Sequence, residues 1–256
     1  MNKEVLGIDI GGSGVKGAVI DLKKGTLVTE RVRIPTPTPH SPQTLLDGIQ
    51  TIIDGFGWKG VIGCGFPGVI RSQTIETAAN IGGKKFIGIN LAEEIGIKTG
   101  LEAWIVNDAD AAGVAELRYG AGRGCRGVVL MLTVGTGIGS SMFIDGTLVP
   151  NLEFGHLKMR DKNTGRNVAA ERLCSDAARK SHDLQWKQWA LRFNKYLQYI
   201  QFLCRPDLII IGGGVASKSD KFLKYIEVDS DVVVAKLENR AGMIGAAYEA
   251  SKYLKV

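Results

Sequence analysis

Val5-Leu6-Gly7-Ile8-Asp9-Ile10-Gly11-Gly12-Ser13-Gly14-Val15-Lys16-Gly17-Ala18-Val19-Ile20 decides the fold. An apolar strand pattern from Val5 to Ile10 stops in a glycine cluster and resumes from Val15 to Ile20, which reads as a strand, a tight turn and a second strand. The design recurs: Val128 to Val134 runs into Gly135-Thr136-Gly137-Ile138-Gly139, and a strand pattern resumes from Ser140 to Ile144. At an offset of 124 (Leu130 against Leu6), Ile10 meets Val134, Gly11 meets Gly135, Ile20 meets Ile144 and Asp21 meets Asp145. The chain therefore contains an internal duplication.

Between the two copies, Pro35-Thr36-Pro37-Thr38-Pro39-His40-Ser41-Pro42 reads as an extended surface connection. Leu45, Leu46, Ile49, Ile52 and Ile53 then recur at helical spacing. A buried strand, Val61 to Phe66, ends in Pro67-Gly68. Another, Trp104 to Val106, runs into Asn107-Asp108 and an alanine-rich helix, Ala109 to Leu117. After the second copy, Trp186, Trp189, Ala190, Phe193, Leu197, Ile200 and Cys204 mark one face of a long helix. The strand Leu208 to Ile211 then leads into Gly212-Gly213-Gly214, and a small-residue helix from Ala241 to Tyr253 closes the chain. Strands alternating with helices predict an α/β architecture of two domains around a central cleft. One domain spans 1–108 and is completed by the helix 241–256; the other spans 109–240.

Composition fits this reading. There are 34 glycines among 256 residues, nearly twice the roughly 7 % of an average protein. With 45 % hydrophobic and 23 % charged residues, disordered, collagenous and coiled-coil classes are excluded. The four cysteines, Cys64, Cys125, Cys174 and Cys204, form no CxxC pair, so neither a disulfide framework nor a cysteine zinc site is indicated and a reducing cytoplasm is expected. No apolar run reaches the ~18 residues of a membrane span.

Glycine-rich turns expose backbone N–H groups and form nests for phosphate oxygens. Two matched turns plus the triple glycine predict a phosphate cradle made by Gly11, Gly12, Ser13 and Gly14, by Thr133, Gly135, Thr136 and Gly137, and by Gly212, Gly213 and Gly214. It is neither a P-loop nor a dinucleotide fingerprint, because GxxxxGK[ST] is absent and a strand pattern follows the first glycines. Asp9, at an otherwise apolar strand end, either holds Mg²⁺ through water against a polyphosphate or caps the turn. Lys16 either lies over the same phosphates or is a solvated strand lysine. Asp108, opening a helix after a buried strand, either caps that helix or accepts the proton of an attacking hydroxyl.

In combination these stretches resemble a family. IDIGGSGVKG (Ile8 to Gly17), IVNDADAAG (Ile105 to Gly113), LTVGTGIGS (Leu132 to Ser140) and IIIGGGVAS (Ile209 to Ser217) are similar to the phosphate-1, connect-1, phosphate-2 and adenosine motifs of actin-like sugar kinases. GFPG (Gly65 to Gly68) and EFGH (Glu153 to His156) resemble the bacterial ROK family. RIPTP (Arg33 to Pro37) and TLVPNLEFGHL (Thr147 to Leu157) resemble its polyphosphate-using glucokinase branch. The resemblance implies the two-domain actin-like ATPase (ribonuclease H-like) fold and transfer of a phosphoryl group to the 6-hydroxyl of glucose. It makes Asp108 the general base, and Gly68, Asn80, Asn107, Glu153, His156 and Glu171 sugar ligands.

It further implies Mg²⁺ as cofactor, polyphosphate as donor with ATP secondary, and a homodimer. A polyphosphate/ATP glucomannokinase and a strictly ATP-dependent glucokinase are the alternatives. Many ROK proteins follow the histidine with a CxCGxxGC zinc segment; here LKMRDKNTGRNVAAER follows His156, so no zinc is expected. The family's repressors carry an N-terminal DNA-binding domain, whereas the first strand here begins at Val5, so no nucleic-acid partner is expected.

The formal charge is +6. Positive charge concentrates in 118–126 (Arg118, Arg123, Arg126, no acid) and in 158–180, where seven basic residues face three acidic ones. These are either solvated basic loops or a track for a polyanionic chain.

Overall fold

The computed structural model describes residues 4–36, 40–78, 81–162 and 164–253. The chain divides into two compact units, Met1–Tyr119 with Arg240–Val256, and Gly120–Asn239.

In unit 1, β1 (Glu4–Gly11) and β2 (Gly14–Asp21) form the predicted hairpin, followed by the short strands β3 (Thr26–Leu27) and β4 (Val32–Ile34). Helix α1 (Pro42–Phe56) carries stop signals at both ends. Ser41 accepts from the Thr44 amide in a capping box, Pro42 opens the first turn, and Gly57 closes the last in the left-handed region. Then come β5 (Ile62–Phe66), the small hairpin β6 (Ile70–Arg71) and β7 (Thr74–Ile75), α2 (Leu91–Thr99), β8 (Ala103–Asn107) and α3 (Asp108–Tyr119). The main sheet runs β3-β2-β1-β5-β8, with β4 also on β2; β1, β5 and β8 are parallel. All five residues of β5 are buried, as a strand covered on both faces requires.

Leu6, Ile8 and Ile10 share a core with Leu45, Ile49 and Ile52 of α1.

Unit 2 repeats the plan. β9 (Val128–Val134) and β10 (Ile138–Ile144) form a hairpin, extended by β11 (Thr147–Val149). A two-stranded ribbon, β12 (Lys158–Arg160) and β13 (Asn167–Ala169), precedes α4 (Glu171–Cys174), α5 (Asp176–Ser181) and α6 (Trp186–Cys204). β14 (Leu208–Gly212) and β15 (Asp231–Val234) complete the sheet β11-β10-β9-β14-β15, with β9, β14 and β15 parallel. Trp189, Phe193, Leu197 and Ile200 of α6 are buried as the periodicity predicts, together with Leu130, Leu132, Ile209 and Ile211 of the sheet. Tyr196 and Asn194 are buried beside them, and Asn194 accepts a hydrogen bond from the Glu227 amide at 2.8 Å.

The chain returns to unit 1 as α7 (Ala241–Tyr253). It lies on the sheet face opposite α1, where β1 and β5 present Gly7 and Gly63. A Cβ at either would run into the backbone of Met243 or Ala246, and one at Gly245 into Ala111 of α3. Glycine here is a condition of close helix–sheet and helix–helix approach. Because α3 packs on α7, it belongs to unit 1 along its whole length. The compact unit therefore extends to Tyr119, past the border at 108 expected from sequence.

Candidate active site

In unit 1, functional groups gather at the C-terminal ends of β1 and β8, where an α/β sheet presents its site residues. Asp9 and Lys16 are direct partners across the hairpin, and the Lys16 ammonium lies 2.8 Å from Asp9 Oδ2. Both are partly buried. Gly242, in the first turn of α7, lies against the Asp9 carboxylate, and the N-terminal helix dipole favours a negative charge there. Gly11 pairs with Gly14, leaving Gly12 and Ser13 as a two-residue turn.

Two groups, one on β4 and one in the connection after it, reach this turn. Arg33 Nη2 donates to the Ser13 carbonyl at 2.8 Å, and Thr36 Oγ1 donates to the Gly11 carbonyl at 2.5 Å. Arg33 escaped the sequence reading of site residues. The available signal was an arginine in an edge strand, which β4 places opposite Lys16.

At the end of β8, Asn107 rather than Asp108 makes the principal cap of α3. Its Oδ1 accepts from the Ala109 and Asp110 amides at 2.9 and 3.0 Å, and its Nδ2 donates to the Gly68 carbonyl at 3.0 Å. These bonds leave the buried Asn107 amide one N–H for a ligand. Asp108 is half-buried and its Oδ1 accepts from the Ala109 amide at 2.8 Å. A Cβ at Gly68 would strike the Thr77 carbonyl, so that loop needs glycine. Asn80 lies outside the described residues.

In unit 2, the β9–β10 turn is one residue longer. Val134 pairs with Ile138, and Gly135, Thr136 and Gly137 span the gap, closed by a Gly135 N–H bond to the Gly137 carbonyl at 3.0 Å. Thr133 pairs with Gly139 on one side and Gly212 on the other. Gly213 has φ +78° and abuts the Val134 backbone, a position that only glycine fits without strain.

Buried Ser140 of β10 seats the segment that carries Glu153 and His156: its hydroxyl donates to the Leu152 carbonyl at 2.7 Å and accepts from the Phe154 amide at 2.9 Å. His156 then stands between two carboxylates, with Nδ1 3.3 Å from Glu153 Oε2 and Nε2 3.6 Å from Glu171 Oε1. Glu171 also touches the glycine turn, because its Oε2 accepts from the Ile138 amide at 3.3 Å and packs on Gly137. Unit 2 thus joins three of the sequence-derived sugar residues to its glycine turn through one side chain. Burial raises the Glu153 carboxyl above its ordinary range; His156 opposes the shift and Glu171 adds to it. Cys174, the first cysteine after His156, is buried, donates to the Arg192 carbonyl, and has its thiol pushed up to about 12 by desolvation. Among the described residues no group of three His, Cys, Asp or Glu side chains is arranged to hold a metal ion. A single carboxylate such as Asp9 fits Mg²⁺ held largely by water and substrate phosphates.

The fold is that of the actin-like sugar kinases. The family profile "ROK family" matches residues 5–178, and the chain belongs to that family. It is 43 % identical to a polyphosphate glucokinase of Mycobacterium tuberculosis over 242 residues, covering 94 % of this chain and 89 % of the relative. Among solved structures it is similar to the inorganic polyphosphate/ATP-glucomannokinase of Arthrobacter sp. strain KM, with TM-score 0.91, 38 % identity, and coverage of 99 % of this chain and 100 % of that one. A ROK family glucokinase from Streptomyces griseus, solved with glucose and AMPPNP, shares the fold at TM-score 0.81 and 22 % identity, covering 97 % and 99 % of the two chains.

Proposed function

We propose that the protein transfers the terminal phosphoryl group of inorganic polyphosphate to the 6-hydroxyl of glucose, giving glucose 6-phosphate. The observation that carries this reading is the 43 % identity to a polyphosphate glucokinase along 94 % of the chain. The local geometry supports it, because each residue type suits its task. Asp108 takes the proton of the hydroxyl as its oxygen attacks phosphorus; the bond to the bridging oxygen breaks, and a polymer one phosphate shorter leaves. Glu153, His156 and Glu171, with Asn107, Asn80 and the Gly68 backbone, pair the sugar hydroxyls, which must each be satisfied once buried. The glycine turns of both units and Gly212 to Gly214 supply amides for the donor phosphates. Asp9 would hold Mg²⁺ through water, and the ion would supply positive charge against the donor phosphates. The Lys16 ammonium is the ion-pair partner of Asp9.

ATP is the secondary donor in this reading, the assembly a homodimer and the setting cytoplasmic. Among the described residues no helix is long and apolar enough to cross a membrane. The likeness to a glucomannokinase favours mannose as a second acceptor. The deciding experiment assays glucose and mannose, each with long-chain polyphosphate and with ATP, across a salt series. Polyphosphate is expected to give the higher kcat/KM, with a KM that rises more steeply with salt than that for ATP. Higher efficiency with ATP and equal salt responses would leave an ordinary ATP glucokinase. Metal analysis is expected to find no stoichiometric zinc, with activity dependent on added Mg²⁺.

A further inference from the structure

The turn between β1 and β2 has an uneven balance of donors and acceptors. Two of its carbonyls are capped from one short segment, Gly11 by the Thr36 hydroxyl and Ser13 by the Arg33 guanidinium. Neither the Gly12 nor the Ser13 amide makes a hydrogen bond to a described residue. Capping the carbonyls and leaving the amides open turns a nearly neutral peptide loop into a net donor surface.

Arg33 does more than cap. Its guanidinium lies on Gly14, so closely that a Cβ there would sit 2.7 Å from Nε. It is exposed, and the Nη2 bond to the Ser13 carbonyl is its one hydrogen bond among the described residues. A guanidinium has five N–H donors in a planar fork that matches phosphate oxygens. Lys16 lies opposite Arg33 across β2 and β4, but its ammonium is already paired with Asp9. Among the described residues, Arg33 is therefore the cation at this turn with uncommitted charge.

We propose that Arg33 is a ligand of the phosphoryl donor, contacting a phosphate held on the Gly12 and Ser13 amides, and that Thr36 and Arg33 together hold the turn in its anion-binding form. This rests on the proposed function in taking the donor to be a polyphosphate.

The test uses the whole protein, wild type beside Arg33→Ala and Arg33→Lys. Tripolyphosphate binding is measured by calorimetry across a salt series, and steady-state KM values are measured for glucose, polyphosphate and ATP. Arg33→Ala is expected to weaken tripolyphosphate binding and raise the polyphosphate KM by about 10- to 100-fold, with the glucose KM within about twofold and Tm nearly unchanged. The slope of log affinity against log salt should fall by roughly 0.7, one phosphate contact's worth, whereas Arg33→Lys should keep most of it. A purely structural clamp would not change that slope, so an unchanged slope or unchanged tripolyphosphate affinity overturns the proposal. A wild type that uses ATP but not polyphosphate would overturn the proposed donor alone. Arg33 would then be judged by the ATP KM and by tripolyphosphate binding in the same variants.

Discussion

The β1–β2 and β9–β10 hairpins descend from one sequence pattern and now differ in charge and in length. Asp9 and Lys16 face each other in the first as an ion pair, and Thr133 and Gly139 face each other in the second. The first turn has two residues between its last paired positions and is capped by outside donors; the second has three and closes on itself through Gly135 and Gly137. Each also has a different neighbour, Asn107 and Asp108 in unit 1 and the Glu153, His156 and Glu171 cluster in unit 2. Duplication supplied two glycine turns, and divergence gave the first an ion pair and the second a neutral pair with a carboxylate–histidine cluster beside it. In the proposed function the first unit carries the base and the second the carboxylate–histidine grip on the sugar.

The largest test of that division is Asp108→Asn. An amide keeps the oxygen that accepts from Ala109 and can position a hydroxyl, but it cannot take a proton. Turnover is expected to fall by about 10²- to 10⁴-fold with Tm and glucose binding close to wild type. Near-normal turnover would remove Asp108 as base and with it the placement of the chemistry on unit 1.

Next comes a matched pair at equivalent positions. Asp9→Asn removes the carboxylate, leaves Lys16 without its partner, and is expected to lower kcat by about 10- to 100-fold while raising the Mg²⁺ concentration needed for half-maximal rate. Thr133→Ala removes one neutral hydroxyl, for which about tenfold or less is expected, with no change in Mg²⁺ demand. Equal losses, or equal Mg²⁺ shifts, would show that the two turns do not divide the work as proposed.

Much of this contrast was legible in the sequence because strand patterns are coarse. The repeat offset places the strand ends of β9 and β10 within a residue of where β1 and β2 predict them, and the closing helix begins and ends where its small residues do. Turn register was not legible: GGSG and GTGIG are both glycine-rich, and only strand pairing decides whether two or three residues are left over. The capping role of Asn107 went to the residue before the one suspected, since a single position separates N-cap from first turn. Arg33 was hidden by its surroundings. It precedes a run of prolines that reads as a connection, and nothing local says that its side chain folds back onto a turn twenty positions earlier. The meeting of Glu171 with His156 likewise depends on the ribbon β12–β13, which returns the chain to the same place.

A smaller effect should appear in pH profiles, and only on the sugar side. Burial raises the Glu153 carboxyl above the usual glutamate range, so as pH falls it protonates earlier than an ordinary glutamate. The protonated form loses its attraction for His156 and half of its capacity to accept hydroxyl bonds. Glucose affinity is therefore expected to weaken on the acid side from a pH above the ordinary glutamate range, by several-fold, with tripolyphosphate affinity flat through the same interval. In Glu153→Gln the limb should vanish, leaving uniformly weaker glucose binding. Persistence of the limb in that variant would assign it to another group.

The smallest expected effect gives the sharpest comparison between the turns. A Cβ built at Gly135 meets nothing within 4 Å, and its φ lies outside the left-handed region, so Gly135→Ala introduces neither clash nor strain. Its stability should be unchanged or raised by roughly 0.4–1 kcal/mol, through loss of freedom in the unfolded chain. Gly14→Ala is different, because its Cβ would meet the Arg33 guanidinium and displace that flexible side chain rather than the backbone. Its Tm should also stay close to wild type. Its tripolyphosphate affinity should drop toward that of Arg33→Ala, and combining the two substitutions should add little. If Gly135→Ala weakens donor binding at full stability, the added methyl is obstructing a phosphate on the second turn. If Gly14→Ala alone does so, the first turn and its arginine carry most of the donor's charge, and the second has become chiefly a support for Glu171.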